Sequence, residues 1–508
     1  MTTQRNPDGF FAALSQKLGA DAINRSPETL DRYGENTLPG GNRRPSAVVY
    51  PRSTAEVQTV VQVAISNAME LYPISTGFNI GLGSRSPVRA GYVVVDLGRH
   101  MNRIVEINDE LAYVVAEPGV SFQMLRDELV RRGDKLMLSA TSGPPEGGIL
   151  GNALEKGGGY GPYFDHFGMT CGMEIVLGTG EVLRTGDGAL AGDAVPNWHV
   201  SKYSFGPILD GLFAQSNYGI VTKTGMWLMP RPPAIRSFHF TFADDADFGA
   251  IIDLCRPLKL SNFVPTLFRV ANDLYLIGTE EQSPEYAATG GKRSISDAAR
   301  RALQQKHGLG AWTVSGAFYG ASMAALEPMI ERVKAHFGQS GKATYIPHEK
   351  ALEMPPLRIA IDSFSGKPGV GELGLLKWRP GGGNSWFTPG TPMSGATAAV
   401  LERAARAAYA EFGLDYTTMW VSSARFARGL HVITFNRDDP DECRRADQCY
   451  RKLAEVFAGM GISVGRAPLD YHDAHMEMQM PAFRAACSAI KHALDPHGVI
   501  APGKYGIA

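Results

Sequence analysis

The sequence predicts an α+β fold in two domains, and three observations lead to this prediction. The chain has 508 residues, more than one hydrophobic core normally organises. Short apolar runs of strand length alternate with amphipathic segments of helix length around glycine-rich turns. The pattern changes near residues 231–234, after which longer helices predominate. We therefore expect one domain from residues 1–235 together with 463–508, and a second from residues 236–462 with an antiparallel sheet flanked by helices.

The first domain is predicted to combine short strands with capped helices. Ser53 or Thr54 can cap a helix, because a hydroxyl oxygen there accepts a hydrogen bond from a free backbone N–H group. A second helix is expected over residues 122–132, where Leu125 and Leu129 recur at helical spacing. Strands are expected at residues 47–50, 71–74, 93–97 and 113–116, with a strand hairpin at 171–182.

The second domain is predicted to contain longer helices. Residues 237–242 alternate apolar and polar side chains as a strand does. Prolines interrupt residues 347–366, which we expect to form an irregular connection. Helices are expected at residues 245–254, 322–337, 396–412 and 440–460, and a further strand at 431–435.

Composition and charge exclude several classes of function. Hydrophobic residues make up 44% of the chain and charged residues 20%, as in ordinary globular proteins. The formal net charge is −1 and no long run of Lys and Arg occurs, which argues against nucleic acid as a partner. No apolar run reaches the ~20 residues that cross a bilayer, so no membrane association is expected.

The cysteines indicate the compartment. The chain has 5 cysteines, an odd number without Cys-x-x-Cys spacing, which favours free thiols in a reducing compartment. The N-terminal residues lack the apolar segment of a signal peptide. We therefore expect a cytoplasmic protein.

Two glycine-rich loops carry the strongest functional signal. Residues 157–163 contain four glycines, so the backbone can lie directly against a flat or anionic ligand. Residues 75–84 offer consecutive N–H groups and three hydroxyls beside a strand end, an arrangement that holds phosphates. Ser86 stands where a Gly-x-Gly-x-x-Gly motif needs its third glycine, and there is no Walker lysine. The loops therefore indicate a dinucleotide other than a nicotinamide one, and FAD is the candidate.

Together with residues 213–222, these loops resemble the FAD-binding domain of the vanillyl-alcohol oxidase and p-cresol methylhydroxylase family. The resemblance extends from about residue 45 to residue 508. The matching segments are residues 45–49, 73–77, 96–104, 117–120, 151–152, 159–163, 165–166, 171–174, 216–217, 219–221 and 501–504.

The resemblance implies a two-lobed FAD-binding domain of the p-cresol methylhydroxylase type, covered by an α+β cap domain. It places the FAD pyrophosphate on residues 75–84 and the isoalloxazine near residues 140–165. The cofactor-binding residues that it implies are Ser75, Thr76, Gly77, Asn79, Ile80, Gly81, Leu82, Gly148, Gly151, Asn152, Gly159, Tyr160, Gly161, Asp165, Gly219, Ile220, Val221 and Lys504.

The chemistry implied by the resemblance is hydride transfer from the benzylic carbon of a para-substituted phenol to flavin N5. The phenol is bound as phenolate, which pushes electron density toward the departing hydride. Two alternatives stay open. One is oxidation of a non-phenolic alcohol or hydroxy acid, with Asn384 or Tyr471 near the reacting hydroxyl. The other is a flavoprotein that binds without turnover.

The chain departs from the family where the cap bonds covalently to flavin. Asn384 stands at the histidine of the oxidases, and no tyrosine occurs at residues 375–377, where methylhydroxylases carry theirs. An asparagine cannot form that bond. We therefore expect non-covalent FAD.

The phenolate site departs as well. Leu82 and Gly465 stand where the family has tyrosines, whereas Arg466 is kept and can anchor a phenolate or carboxylate. Met419 replaces a polar group of a cap strand, and Trp386 can form an aromatic wall. We expect the substrate pocket to be lined by Leu82, Met419, Trp386 and Gly465, and the catalytic residues to be Arg466, Asn384 and Tyr471.

The sequence also bears on the electron acceptor, the partners and a possible metal site. The oxidases carry an aspartate near flavin N5, but residues 138–147 hold only Glu146, as in the methylhydroxylase branch that passes electrons to a cytochrome. A cytochrome or other acceptor, a small aromatic substrate and a homodimer are therefore expected. His472 and His475 have a spacing that suits one helix face, yet no carboxylate set accompanies them, and we expect no metal.

Overall fold

The computed structural model describes residues 5–190, 192 and 195–508. Its strands are β1 Ile23–Asn24, β2 Ala47–Val49, β3 Leu71–Ile74, β4 Val93–Asp96, β5 Ile104–Asn108, β6 Tyr113–Ala116, β7 Leu136–Met137, β8 Thr170–Leu177, β9 Val182–Arg184, β10 Gly219–Trp227, β11 Met229–Pro230, β12 Ala234–Phe242, β13 Phe268–Asn272, β14 Trp312–Gly320, β15 Thr344–Ile346, β16 Gly383–Phe387, β17 Gly390–Pro392, β18 Thr417–Ser422 and β19 Phe426–Phe435.

Helices cover the faces of the sheets. They are α1 Pro7–Leu18, α2 Pro27–Gly34, α3 Thr54–Asn67, α4 Phe122–Arg131, α5 Ile149–Leu154, α6 Phe248–Leu260, α7 Asp273–Ile277, α8 Tyr286–Thr289, α9 Asp297–His307, α10 Met323–Gly338, α11 His348–Leu352, α12 Pro355–Phe364, α13 Gly395–Glu411, α14 Pro440–Gly459, α15 His472–Glu477 and α16 Pro481–Leu494. In the described part of the chain, no helix has the length and apolarity to cross a membrane.

The first lobe begins with a four-stranded sheet in the order β1-β2-β4-β3. β2, β3 and β4 are parallel, and α3 forms the crossover from β2 to β3. Ser53 caps α3, since its side chain accepts a hydrogen bond from the Glu56 N–H at 3.2 Å. The loop of residues 75–84 leaves the carboxyl end of β3, where α/β sheets commonly bind ligands.

A five-stranded antiparallel sheet, β5-β6-β10-β8-β9, forms the second lobe. The predicted hairpin at residues 171–182 corresponds to β8 and β9. α5 and the glycine loop 157–163 lie between β7 and β8 in the chain. The C-terminal segment returns to the first sheet, where Ile500 pairs with Leu71 of β3. The two glycine loops thereby come to one side of the two-lobed unit.

The cap is an eight-stranded antiparallel sheet with central order β15-β12-β14-β13-β18-β19-β16, to which β17 adds at β19. One face packs under α6, α10, α13 and α14 through residues such as Phe238 and Trp420. Because successive side chains of a strand point to opposite faces of the sheet, other residues, such as Val421 and Val432, point to the second face. That second face is turned toward the first domain.

The predicted α+β fold with a cap is confirmed, with local corrections. The connection at residues 347–366 is not irregular: α11 and α12 occupy it, because Pro347 immediately precedes α11 and Pro355 begins α12, positions that tolerate proline. α6 extends past the predicted end at residue 254 and contains Pro257. All strands up to Trp227 pair within the first domain and those from Ala234 to Phe435 within the cap, which supports the predicted domain bounds, although these stay a prediction.

Candidate functional site

A cavity of about 820 Å³ lies between the glycine loops and the inner face of the cap sheet. Most of the predicted cofactor-binding residues line it. They are Ser75, Thr76, Gly77, Asn79, Ile80, Leu82, Gly148, Gly151, Asn152, Gly159, Tyr160, Asp165, Gly219, Ile220, Val221 and Lys504. Gly81 and Gly161 belong to the same loops but do not contribute to the cavity surface.

The glycines of these loops are required by close packing. A Cβ at Gly151 would overlap the hydroxyl of Ser75, and one at Gly159 would lie 2.7 Å from the carbonyl oxygen of Ala140. Gly77 and Gly81 have φ values of 75° and 74°, which favour glycine. The backbone therefore forms the cavity floor directly.

The loop of residues 75–84 has the donors that a diphosphate needs. The N–H groups of residues 76–80 donate to no backbone acceptor in the described part of the chain. Such consecutive free N–H groups make an anion-binding concavity. Together with the bare floor at residues 157–159, they fit a dinucleotide that has both phosphates and a flat ring system.

His166 supports the floor from behind. Its Nδ1 lies 2.6 Å from Asn152 Oδ1, and burial lowers its pKa to about 4. The ring is therefore neutral at pH 7, and it fixes the side chain of Asn152 on the cavity wall.

Arg466 lies at the boundary between the first domain and the cap. Its Nη2 donates to Asn79 Oδ1 at 3.1 Å, and its backbone N–H donates to Thr388 Oγ1 at 2.9 Å. Its Nε is buried and has no hydrogen-bond partner. Burial lowers the pKa of the guanidinium, whereas Glu155 raises it. Arg466 thus places a cation on the cavity wall.

Two of the predicted pocket residues line the cavity. Leu82 is one, and Trp386 of β16 is the other. Trp386 Nε1 donates to the carbonyl oxygen of Ile80 at 3.1 Å, which holds the edge of the cap sheet against the loop of residues 75–84. Gly465 does not line the cavity, but it lies against the guanidinium of Arg428, which does.

Three further residues predicted for the catalytic or substrate site lie outside the cavity surface. Met419 is fully buried, with its sulfur 3.2 Å from Arg269 Nε. Tyr471 stacks on Tyr450 of α14 with ring centroids 3.6 Å apart, so it belongs to the cap core. Asn384 is fully buried against Gly81, and neither of its amide atoms has a hydrogen-bond partner. Met419 and Tyr471 therefore lie off the cavity surface and Asn384 lies behind the loop, and their roles at the site stay predictions.

A polar cluster that sequence reasoning missed occupies one wall. Glu372 pairs with the buried Arg269 and accepts a hydrogen bond from Tyr275 at 3.2 Å. Tyr160 lies beside Glu372 with its ring 4.4 Å from the Arg269 guanidinium. Burial, together with Glu372, raises the pKa of both tyrosines, which stay protonated donors. An arginine inside the apolar strand pattern of residues 268–271 was a usable signal, because an arginine is seldom buried unpaired.

Lys504 has a protein partner in addition to its place on the cavity wall. Its Nζ lies 3.1 Å from Glu155 Oε1, and the Tyr505 hydroxyl donates to the same carboxylate. Burial raises the pKa of Glu155, but Lys504 and Arg466 outweigh it and lower the pKa to about 2. The junction between the lobes and the C-terminal segment is therefore ionic.

The histidines at residues 472 and 475 bind protein groups. His472 Nε2 lies 3.1 Å from the Ala467 carbonyl oxygen, and His475 Nε2 lies 3.0 Å from the Tyr450 hydroxyl. Among the described residues, no group of three His, Cys, Asp or Glu side chains has the geometry to hold a metal ion.

Comparisons with known proteins give a consistent result. Residues 45–186 match the family described as FAD binding domain. The chain is 35% identical to the 4-cresol dehydrogenase [hydroxylating] flavoprotein subunit of Pseudomonas putida, over 98% of this chain and 94% of that protein. It is 31% identical to 1'-carboxy-chondrochloren decarboxylase of Chondromyces crocatus, over 97% of this chain and 96% of that protein. A crystal structure of p-cresol methylhydroxylase with substrate bound has a TM-score of 0.94 at 34% identity, over 98% of this chain and 96% of that one.

Proposed function

The chain belongs to the vanillyl-alcohol oxidase and p-cresol methylhydroxylase family of FAD-dependent oxidoreductases, and on that premise we propose that it oxidises a benzylic or allylic carbon, or an alcohol, of para-substituted phenols and related aromatic compounds. The observation that carries the proposal is the cavity itself. Its floor is bare backbone, its opposite wall is the cap sheet, and the cationic Arg466 lines it at the boundary between the two.

FAD, when bound, supplies the acceptor for the hydride, which carries two electrons away from the substrate. Residues 75–80 would hold its diphosphate, and the floor around Gly159 would lie against its ring system. Arg466 would hold the substrate oxyanion, which stabilises the electron-rich form that releases hydride. The apolar walls formed by Leu82, Trp386 and Leu430 would exclude water from the reacting carbon.

The role of Arg466 is tested by anaerobic flavin reduction. Arg466→Ala is expected to raise KM or to slow flavin bleaching near roughly 450 nm at least about tenfold, since it removes a charged contact worth ~1.5–3 kcal/mol. Arg425 is exposed and lies outside the cavity, so Arg425→Ala is the matched control. An unchanged single-turnover reduction rate and KM in Arg466→Ala would remove this residue from the mechanism.

We propose that the cofactor is bound without a covalent bond. Asn384 lies buried behind Gly81, and Leu375 and Leu376 line the cavity where the family has a reactive tyrosine. These side chains have no nucleophile for flavin. Acid precipitation of the holoenzyme is expected to release all yellow colour into the supernatant. Colour that stays with the polypeptide contradicts this proposal.

The acceptor, the oligomer and the location are proposals as well. The name of the Pseudomonas putida relative, a flavoprotein subunit, supports electron transfer to a second protein such as a cytochrome. Reoxidation of the reduced enzyme is expected to be faster with cytochrome c than with oxygen in stopped-flow measurements.

A homodimer is expected in analytical ultracentrifugation. All five cysteines are free thiols, which supports a cytoplasmic location.

A further inference from the structure

Gly465 leaves a space that an arginine occupies. A Cβ at Gly465 would lie 2.8 Å from Nη2 and 2.9 Å from Cζ and Nε of Arg428. The φ of Gly465 is outside the left-handed region, so its backbone conformation does not require glycine. The absence of a side chain at residue 465 therefore serves the position of Arg428.

The backbone around Gly465 is fixed on both sides. Its N–H donates to the Thr388 carbonyl oxygen at 2.8 Å, and its own carbonyl oxygen accepts from Gln215 Nε2 at 2.8 Å. Because these two hydrogen bonds hold the segment, we expect a larger side chain at residue 465 to displace the Arg428 guanidinium.

Arg428 and Arg466 both line the cavity, and the charge of Arg466 acts on Arg428. Arg428 extends from β19, and Arg466 follows Gly465 directly. Both line the cavity, and the Nε of each is buried without a hydrogen-bond partner. Arg428 Nη1 makes one long hydrogen bond, to the Lys156 carbonyl oxygen at 3.4 Å.

The electrostatics of this pair are unbalanced. Burial and then the charge of Arg466 lower the pKa of Arg428, and burial lowers that of Arg466. Asp165 raises the pKa of Arg428, and Glu155 raises that of Arg466. Glu155 is, however, also paired with Lys504. Two neighbouring desolvated cations are stabilised by an anion that accepts from both.

We propose that Arg428 and Arg466 together bind a carboxylate of the aromatic substrate, and that Gly465 determines this specificity by making room for Arg428. A carboxylate has two oxygens and accepts several N–H donors at once, which suits two guanidinium groups. A phenolate has one oxygen. The name of the Chondromyces crocatus relative, which denotes a carboxylated compound, is consistent with this substrate class.

The inference rests on the proposed function, because it concerns the substrate of the same cavity. A para-alkylphenol whose carboxylate is adjacent to the phenolic oxygen satisfies both proposals, because Arg466 can then contact the phenolate and the carboxylate together. The test is designed on binding alone, however, so that the two can fail separately.

Binding of benzoate, benzamide and phenol to the oxidised holoenzyme measures the carboxylate site directly. Each is titrated by the shift of the flavin band, with calorimetry as a second readout. Benzoate is expected to bind at least about tenfold more tightly than benzamide, since a charged hydrogen bond contributes ~1.5–3 kcal/mol. Equal affinities for benzoate and benzamide overturn the proposal.

Arg428→Gln tests the second arginine. It is expected to weaken benzoate binding at least about tenfold and to leave phenol binding within about twofold. Arg428→Lys is expected to retain part of the benzoate affinity, because it keeps the charge but loses the planar donors. Arg425→Gln, at an exposed arginine, is expected to change the affinity for neither benzoate nor phenol. Loss of FAD from Arg428→Gln, or equal weakening of benzoate and phenol, assigns Arg428 to another role and overturns the proposal.

Gly465→Tyr is the reciprocal variant. It is expected to displace Arg428 and to weaken benzoate binding at least about tenfold, with no loss of phenol affinity. Benzoate binding as tight as in the unaltered protein contradicts the role of Gly465. If benzoate binds as expected but no aromatic substrate bleaches the flavin, the proposed function fails while the carboxylate site stands. If phenols bleach the flavin but the arginine variants leave benzoate binding unchanged, the carboxylate site fails while the proposed function stands.

Discussion

Arg269 and Glu372 form a buried ion pair whose carboxylate faces the cavity. Their side chains are 3% and 9% exposed. Arg269 also contacts the sulfur of Met419, and Glu372 accepts from Tyr275. The pair therefore orders one wall of the site through several contacts, and breaking one partner leaves the other charge buried.

We expect Glu372→Gln to destabilise the protein by about 3 kcal/mol, because the charge of Arg269 then has no counter-ion in a desolvated position. Adding Arg269→Met is expected to recover much of the loss, since it replaces the stranded charge by an apolar side chain. Denaturant unfolding measures both variants. Glu353→Gln, which breaks the exposed pair with Lys350, is the control and should cost under ~1 kcal/mol. Equal losses in Glu372→Gln and Glu353→Gln contradict the prediction.

At the scale of residues, the sequence identifies the cavity-lining residues of the loops better than those of the strands. Ser75–Ile80, Leu82 and Gly159 line the cavity because a glycine loop brings its own backbone to the ligand, a property that is local. Met419 lies on the same strand face as Val421, which lines the cavity, but Arg269 packs against its sulfur. Arg428 could not be predicted, because its place depends on the space at Gly465, 37 residues further along the chain.

The loop of residues 75–84 and strand β16 act as one unit at the level of elements. Trp386 Nε1 donates to the Ile80 carbonyl oxygen, and the Trp386 N–H donates to that of Gly81 at 3.3 Å. Gly81 N donates to Thr37 Oγ1 at 3.0 Å. The edge of the cap thereby sets the shape of the loop that faces the diphosphate.

Gly81→Ala is expected to lower FAD affinity at least about tenfold, because a Cβ there overlaps Trp386 and Asn384 and forces the loop away from β16. Gly41→Ala is the matched control. Gly41 has a similar φ of 77°, but a Cβ there meets nothing within 4 Å. Both variants carry the ~1 kcal/mol cost of a left-handed alanine, whereas only Gly81→Ala carries the overlap. FAD titration of the apoproteins compares them, and equal affinities contradict the prediction.

Local signals predicted six of the longer helices and several strands, and long-range pairing explains part of what they missed. Ser53 caps a helix as its hydroxyl suggests, and β3 and β6 have the expected bounds. α11 and α12 were missed because proline was taken as an interruption, although at a helix start it is compatible with the helix. Strands β13, β16 and β18 were not predicted, because their pairing in the cap sheet joins segments far apart in the chain.

At the scale of the whole molecule, an ionic junction joins segments that are distant in sequence. Glu155 follows α5, Arg466 connects the cap with the C-terminal part, and Lys504 lies near the end of the chain. The side chain of Glu155 is 23% exposed, and its carboxylate takes its favourable interactions from both cations. Since each segment contributes to the cavity wall, closure of the site and stability of the fold depend on the same charge.

This junction predicts a specific acid sensitivity. The pKa of Glu155 is lowered from 4.5 to about 2, so the stabilisation is fully present above pH 4.5 and is lost as the pH falls through 2. A shift of this size corresponds to about 3 kcal/mol as an upper bound. Glu155→Gln is therefore expected to be less stable than the unaltered protein at pH 7, and to lose less stability between pH 5 and 2 (roughly the window of the shift). Unfolding midpoints across this range measure the slopes, with exposed Glu455→Gln as the control. Parallel slopes for the unaltered protein and Glu155→Gln would show that Glu155 does not hold the segments together.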